Sequence, residues 1–305
     1  MINEKIIVGE NTRYPLKGRL TLPDDLSSPV PAVVMVHGSG ASNMDEKVGK
    51  LTPFKDLAEG LAERGIGSLR YDKRTYSHPL KMLMVKPTVY FETIEDALLA
   101  TEMLKKDARI DSNRIFILGH SMGAMLAPRI DAEGADVRGL IMMAATPFRL
   151  EDIVLRQLKQ AQGGNAVMDR IMKYQYKKYA AKFENLYQMS EDKAKKEKFA
   201  ANLTLYYFQE MGRKTAADYL AESDKPALIM QGEKDFQVLA EEDYFRFCQL
   251  FHDRENTVFR LYTGLDHAFV EALYADILLA SKEFGKERHI PDNVIDDIAE
   301  FISKY

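Results

Sequence analysis

The stretch Arg114–Ile130, RIFILGHSMGAMLAPRI, decides how this chain is built. Its first five residues are almost wholly apolar and read as a buried strand, and Met122 to Ile130 reads as a short helix. Between them lies Gly119-His120-Ser121-Met122-Gly123, a G-x-S-x-G pattern. A strand that turns straight into a helix can do so only if the flanking positions are small. The serine at the apex takes strained backbone angles, and the helix behind it aims free amides and a positive dipole end at the same point. A serine that merely caps the helix is the plainer alternative, so residues elsewhere must decide.

Working outward, apolar runs bounded by turn residues alternate with segments of helical period. Val30–Val36, Ile66–Tyr71 and Val137–Ala144 read as further buried strands, as do Ala227–Gln231 and Val258–Tyr262. Helices are expected over Leu51–Arg64, stopped by Gly65, and over Thr93–Asp107, where Thr93 and Asp96 resemble a capping pair. Two more are expected over Glu241–Phe251 and Val294–Ile302. The start, Lys5–Gly9 and Leu16–Leu22, looks like two antiparallel strands. Alternation of this kind predicts an α/β fold with a mostly parallel central sheet flanked by helices. The alternation lapses from Phe148 to about Glu222, where helical stretches rich in Lys, Glu and Tyr are broken at Gly163-Gly164 and Gly212. The expected organisation is a core of residues 1–147 and 223–305, interrupted by a helical cap over 148–222.

A serine hydroxyl is a poor nucleophile at neutral pH and needs a histidine to take its proton, with a carboxylate to orient that histidine. In α/β folds that carry a serine on such a turn, the order along the chain is serine, then acid, then histidine. His252 ends an amphipathic helix (EEDYFRFCQLF), where a basic residue suits the terminus, and reads as structural, while His289 sits in a charged stretch (KEFGKERHIP) and reads as a surface residue. His267 differs, because it follows the strand VFRLY through the short turn TGLDHAF. Carboxyl ends of parallel strands are where such sheets place their chemistry. Asp235 ends Gln231-Gly232-Glu233-Lys234-Asp235 directly after another strand, leaving room for one helix and one strand before His267. Glu233 and Asp152 are possible substitutes, whereas Asp266 should project away from the neighbouring imidazole. A tetrahedral oxyanion needs two backbone amides. One is expected from Met122, and the other from Ser39 in the loop His37-Gly38-Ser39-Gly40 after the first parallel strand.

The bulk properties set bounds. The chain has 305 residues, 46% hydrophobic and 29% charged, enough for a sizeable core. A net charge of −4 with no sustained basic stripe argues against nucleic acid as a partner. The single cysteine, Cys248, cannot form an internal disulfide, and no Cys/His spacing suggests a metal. No apolar run approaches the roughly 20 residues of a membrane span, and the first residues lack a signal-peptide core. The expected setting is the cytoplasm, with neither a cofactor nor a membrane partner.

With these residues assembled, the chain resembles the α/β-hydrolase superfamily over nearly all its length. Within it the likeness is to bacterial serine esterases and acyl hydrolases, including cinnamoyl/feruloyl-esterase-like and dienelactone-hydrolase-like groups. It rests on PAVVMVHGSG (31–40), RGIGSLRYDKR (64–74), GHSMG (119–123), QGEKD (231–235) and GLDHAF (264–269). The resemblance implies Ser121 as nucleophile, Asp235 as acid, His267 as base, oxyanion amides at Ser39 and Met122, and a helical cap. Dienelactone hydrolases proper carry a cysteine at the nucleophile position, where this chain has serine. The expected reaction cleaves a small acyl substrate, a carboxylic ester, through an acyl-enzyme. A peptidase or thioesterase on the same scaffold is the alternative, and a non-catalytic binding protein a remote one. An aminopeptidase would need an acid for the substrate ammonium, for which Glu184 or Glu210 could serve. The aromatic residues Tyr174, Tyr176, Tyr179, Tyr187, Tyr206, Tyr207 and Phe208 either line an acyl pocket or pack the cap onto the core.

Overall fold

A computed structural model describes residues 1–305. Eight strands form one sheet: β1 (Ile2–Val8), β2 (Leu16–Leu22), β3 (Val30–Val36), β4 (Gly67–Tyr71), β5 (Ile110–His120), β6 (Gly139–Met143), and, after a two-stranded excursion, β9 (Ala227–Gly232) and β10 (Thr257–Tyr262). Their order is β1-β2-β4-β3-β5-β6-β9-β10. The first three pair antiparallel, β1 with β2 and β2 with β4, and every other neighbouring pair is parallel. The chain runs from β3 outward to β4, then crosses back to place β5 on the other side of β3. That reversal opens a crevice beyond the carboxyl ends of β3 and β5, the position where open α/β sheets take ligands.

The inner strands β3, β4, β6 and β9, and β5 from Ile115 on, are buried on both faces, which is why they read as continuous apolar runs. Successive residues alternate between two cores: Val34, Val36, Ile115 and Ile117 join one, while Val33, Met35, Phe116 and Leu118 join the other. The second core is covered by the helix Pro53–Glu63 through Phe54, Leu57 and Leu61, and by the helix Asp292–Lys304 through Val294, Ile298 and Phe301. The first core is covered by the helices Glu95–Lys105, Met122–Ile130 and Phe245–Phe251. Helix Pro53–Glu63 stops where Gly65 takes a φ of +79°, a value a side chain would strain.

Two local expectations differ from the structure. Thr93 and Asp96 do not cap a helix, because a wider turn over Tyr90–Ile94 runs into Glu95–Lys105 without a break. The Asp96 carboxylate instead accepts hydrogen bonds of 3.1 and 2.5 Å from the buried Arg74 guanidinium. Tertiary charge pairing outcompetes the cap. The strand expected over Arg114–Leu118 also extends to Ile110–His120, since β3 and β6 pair with it on either side.

Between β6 and β9 the chain leaves the main sheet. Helices span Leu150–Gln160, Ala166–Phe183, Leu205–Gly212 and Ala216–Glu222, with breaks at the glycines. A small antiparallel pair, β7 (Lys198–Ala200) and β8 (Leu203–Thr204), was not legible because segments this short show no alternation. Phe183, Leu205, Phe208, Met211 and Leu220 of this segment bury against the same core as the helix behind Ser121. No helix is long and apolar enough to cross a membrane.

Candidate active site

Ser121 sits at φ 53° and ψ −118°, outside the regions an L-residue prefers. Close packing holds it there. A Cβ on Gly119 would meet the Gly123 carbonyl oxygen at 2.3 Å, and one on Gly123 would meet the Val36 oxygen at 2.1 Å. Only glycine lets β5, the following helix and β3 come this close. The Ser121 amide donates to the Met143 carbonyl at 2.8 Å, tying the turn to β6.

Asp235 and His267 come together from the ends of β9 and β10. His267 Nδ1 lies 2.7 Å from Asp235 Oδ2, and since a carboxylate only accepts, the proton is on Nδ1. Asp235 is itself fixed: Oδ1 accepts from the amides of Gln237 and Val238 at 2.7 and 3.0 Å, and Oδ2 accepts from Gln231 Nε2 at 3.0 Å. No hydrogen bond joins Ser121 Oγ to His267 in the structure. Contacts of this kind commonly tighten only when substrate binds.

The other candidates lie elsewhere. Glu233 accepts from the Gly264 amide at 3.1 Å, and Asp266 Oδ1 accepts from the amides of Ala268 and Val270. Asp152 is exposed on the first turn of its helix. His252 and His289 are surface residues beside Asp253 and Asp56.

Ser39, Ser121 and Met122 line one cavity of about 540 Å³. Its walls are apolar, with Met82, Met125, Ile153, Val154, Phe199 and Phe208 among them. Of the predicted aromatic set only Tyr207 and Phe208 reach it. Tyr174 is exposed, Tyr179 packs on Phe199, and the Tyr187 hydroxyl donates to Glu151. Glu92 is the one charged residue in the lining, and its carboxylate faces Lys73 Nζ at 3.2 Å. Glu184 is exposed, while Glu210 is held by Arg129 at 2.8 Å and by the Val89 amide at 2.7 Å; neither lines the cavity.

Two buried histidines flank the serine. Burial holds the His37 imidazole neutral, with its pKa lowered to about 4. Burial opposes charge on His120 as well, but the Glu46 carboxylate 3.0 Å from Nδ1 outweighs it and raises the pKa to about 9. His120 Nε2 donates to the backbone carbonyl of His267 at 2.8 Å. With Nδ1 facing a carboxylate and Nε2 a carbonyl, the imidazolium suits both contacts. Glu46, His120, Lys73 and Glu92 all escaped the reading of the sequence, because no spacing or periodicity relates them. The one hint was the rarity of buried charge in apolar surroundings, and that is visible only after folding.

A doubly covered, mostly parallel sheet, with a serine on a strained strand-to-helix turn and an Asp–His pair at neighbouring strand ends, defines the α/β-hydrolase class. Residues 27–271 match the family described as serine aminopeptidase S33, and the chain belongs to that family. The chain is similar to the esterase EstD of Thermotoga maritima, 34% identical over 293 residues, which cover 95% of this chain and 66% of that protein. It thus spans just under two thirds of that relative's length. Among solved structures, an esterase of Pyrococcus furiosus superposes with a TM-score of 0.59 at 15% identity, covering 100% of this chain and 91% of the other. A puromycin-hydrolyzing peptidase of Mycobacterium tuberculosis gives 0.60 at 14% identity, covering 99% of this chain and 39% of the other. At such identities these structures speak for the fold alone.

Proposed function

We propose that this protein is a serine esterase acting on uncharged carboxylic esters, with Ser121 as nucleophile, His267 as general base and Asp235 as the orienting acid. One observation carries the reading: Ser121 opens onto an apolar cavity whose only charged wall residue, Glu92, is already neutralised by Lys73. The likeness to the Thermotoga esterase supports it.

The reaction runs in two acyl transfers. Ser121 Oγ attacks the ester carbonyl while His267 Nε2 takes its proton, and the Nδ1–Asp235 bond stabilises the imidazolium. The amides of Ser39 and Met122 receive the oxyanion. His267 then protonates the leaving alcohol, and water activated by the same imidazole releases the acid. Segment 148–222 acts as the cap, supplying Leu150, Ile153, Val154, Phe199, Leu203 and Phe208 to the acyl wall.

The family description keeps aminopeptidase activity as the second reading. An α-ammonium would need an unpaired acid in the cavity, and Glu92 is paired. The test is one preparation assayed on p-nitrophenyl esters, aminoacyl anilides and acyl-thioesters, together with fluorophosphonate labelling. Esters should show the highest kcat/KM, and Ser121→Ala should abolish labelling. Wild-type protein that neither turns over esters nor labels would overturn the proposal, and faster anilide cleavage would favour the peptidase.

A further inference from the structure

Lys73 Nζ donates a hydrogen bond of 2.9 Å to the Gly38 carbonyl oxygen. That carbonyl and the Ser39 N–H belong to the same peptide unit, which is planar and trans. In such a unit the N–H points opposite to the C=O, so fixing the oxygen fixes the direction of the Ser39 donor. A cation on the oxygen also draws electron density from nitrogen and strengthens the N–H as a donor.

The preceding peptide is held as well, because the Gly38 amide donates to Glu46 Oε1 at 2.7 Å. Glu46 adopts a φ of +50°, a strained angle for a residue with a side chain. A Cβ on Gly38 would lie 3.2 Å from the Ser121 Cβ, so the doubly held segment rests directly against the serine.

Lys73 is 2% exposed. Its partner Glu92 lies 3.2 Å away. An interior ion pair of this kind is seldom more stabilising than apolar residues of the same shape. What the Lys73–Glu92 pair does supply is a charge fixed beside one peptide, in a setting where water does not screen it.

We propose that Lys73 is a positioning residue of the oxyanion site, orienting and strengthening the Ser39 N–H through the Gly38–Ser39 peptide. The inference rests on the reading of Ser121 as nucleophile. Lys73 touches no reacting atom and acts only through the backbone. Glu92 keeps the ammonium aimed, and Glu46 sets the plane of the neighbouring peptide.

The test uses Lys73→Met combined with Glu92→Gln, which removes both buried charges together and so avoids stranding either one. Loss of a whole oxyanion donor costs roughly 10²–10³ in kcat, so a weakened donor should cost about 10–100-fold. The loss should fall on kcat, leaving KM within about threefold. Affinity for a trifluoromethyl ketone, which forms the oxyanion when Ser121 adds to it, should fall by the same factor. Binding of the matching unreactive methyl ketone should not change. Lys73→Leu combined with Glu92→Leu, which likewise removes both charges and the donor together, decides the matter if the first double variant does not fold. A wild type that hydrolyses esters, with kcat and ketone affinity of the folded variant within threefold of it, overturns this inference alone. A wild type without esterase activity or labelling fails the functional reading instead.

Discussion

His267 and Asp235 face each other across 2.7 Å, and the carboxylate is held on its far side by the amides of Gln237 and Val238. Asp235→Asn keeps an oxygen for those two amides, so the loop should stay folded. It also sets an amide N–H against the His267 Nδ1–H, which favours the wrong tautomer. The expected loss in kcat is about 10⁴-fold with KM little changed, measured by steady-state kinetics on a p-nitrophenyl ester. A loss under tenfold would remove Asp235 from the reaction.

Thermal stability should fall on both sides of a maximum near neutrality. His120 has its folded pKa raised to about 9 from an ordinary 6.5, so its contribution is complete below 6.5 and disappears as pH rises through 9. His37 is shifted the other way, to about 4, so its contribution is present above 6.5 and disappears as pH falls through 4. Melting curves between pH 4 and 10 should show both limbs. Glu46→Gln should flatten the alkaline limb, and it should alter the acid one as well, because Glu46 opposes the lowering of His37 and has its own pKa lowered in the fold; an unchanged alkaline limb would show that the pair does not set it.

Gly123→Ala and Gly40→Ala should behave very differently. The first puts a methyl 2.1 Å from the Val36 oxygen and 2.7 Å from the His37 oxygen, in backbone that cannot move without opening β3 from the elbow. It should cost about 3 kcal/mol or more, or prevent folding. Gly40 has nothing within 4 Å, and only its φ of +86° resists a side chain, so its cost should be about 1 kcal/mol. Denaturant titration of the two variants compares them directly.

The acyl wall can be moved closer to the serine. Val154 lines the cavity from the helix Leu150–Gln160 and is only partly buried, so a larger side chain can enter without disturbing the main core. Val154→Phe should lower kcat/KM for p-nitrophenyl octanoate relative to the acetate by about tenfold. An unchanged ratio would place the acyl chain along another wall.

Much of this was readable before folding. The elbow is legible as a local pattern, with Gly119 required by the turn's own backbone, although Gly123 is required by the Val36 and His37 oxygens at the end of β3. Burial on both faces printed the strands as apolar runs, and strand ends placed Asp235 and His267. Thr93 and Asp96 show where local reading fails: the motif suggested a cap, and Arg74, brought in by the fold, took the carboxylate.

The buried charges around the serine were decided by the folded chain alone. Glu46 and His120, and Lys73 and Glu92, are joined by no repeat, helical face or turn, and each reads in the sequence as an ordinary charge. They become a set only when β3, β4 and β5 stand side by side and shut water out, because an ion pair's strength and aim depend on its surroundings rather than on spacing. The sequence therefore reveals where the serine stands, while the packing around it determines which buried charges surround it and how firmly the neighbouring backbone is held.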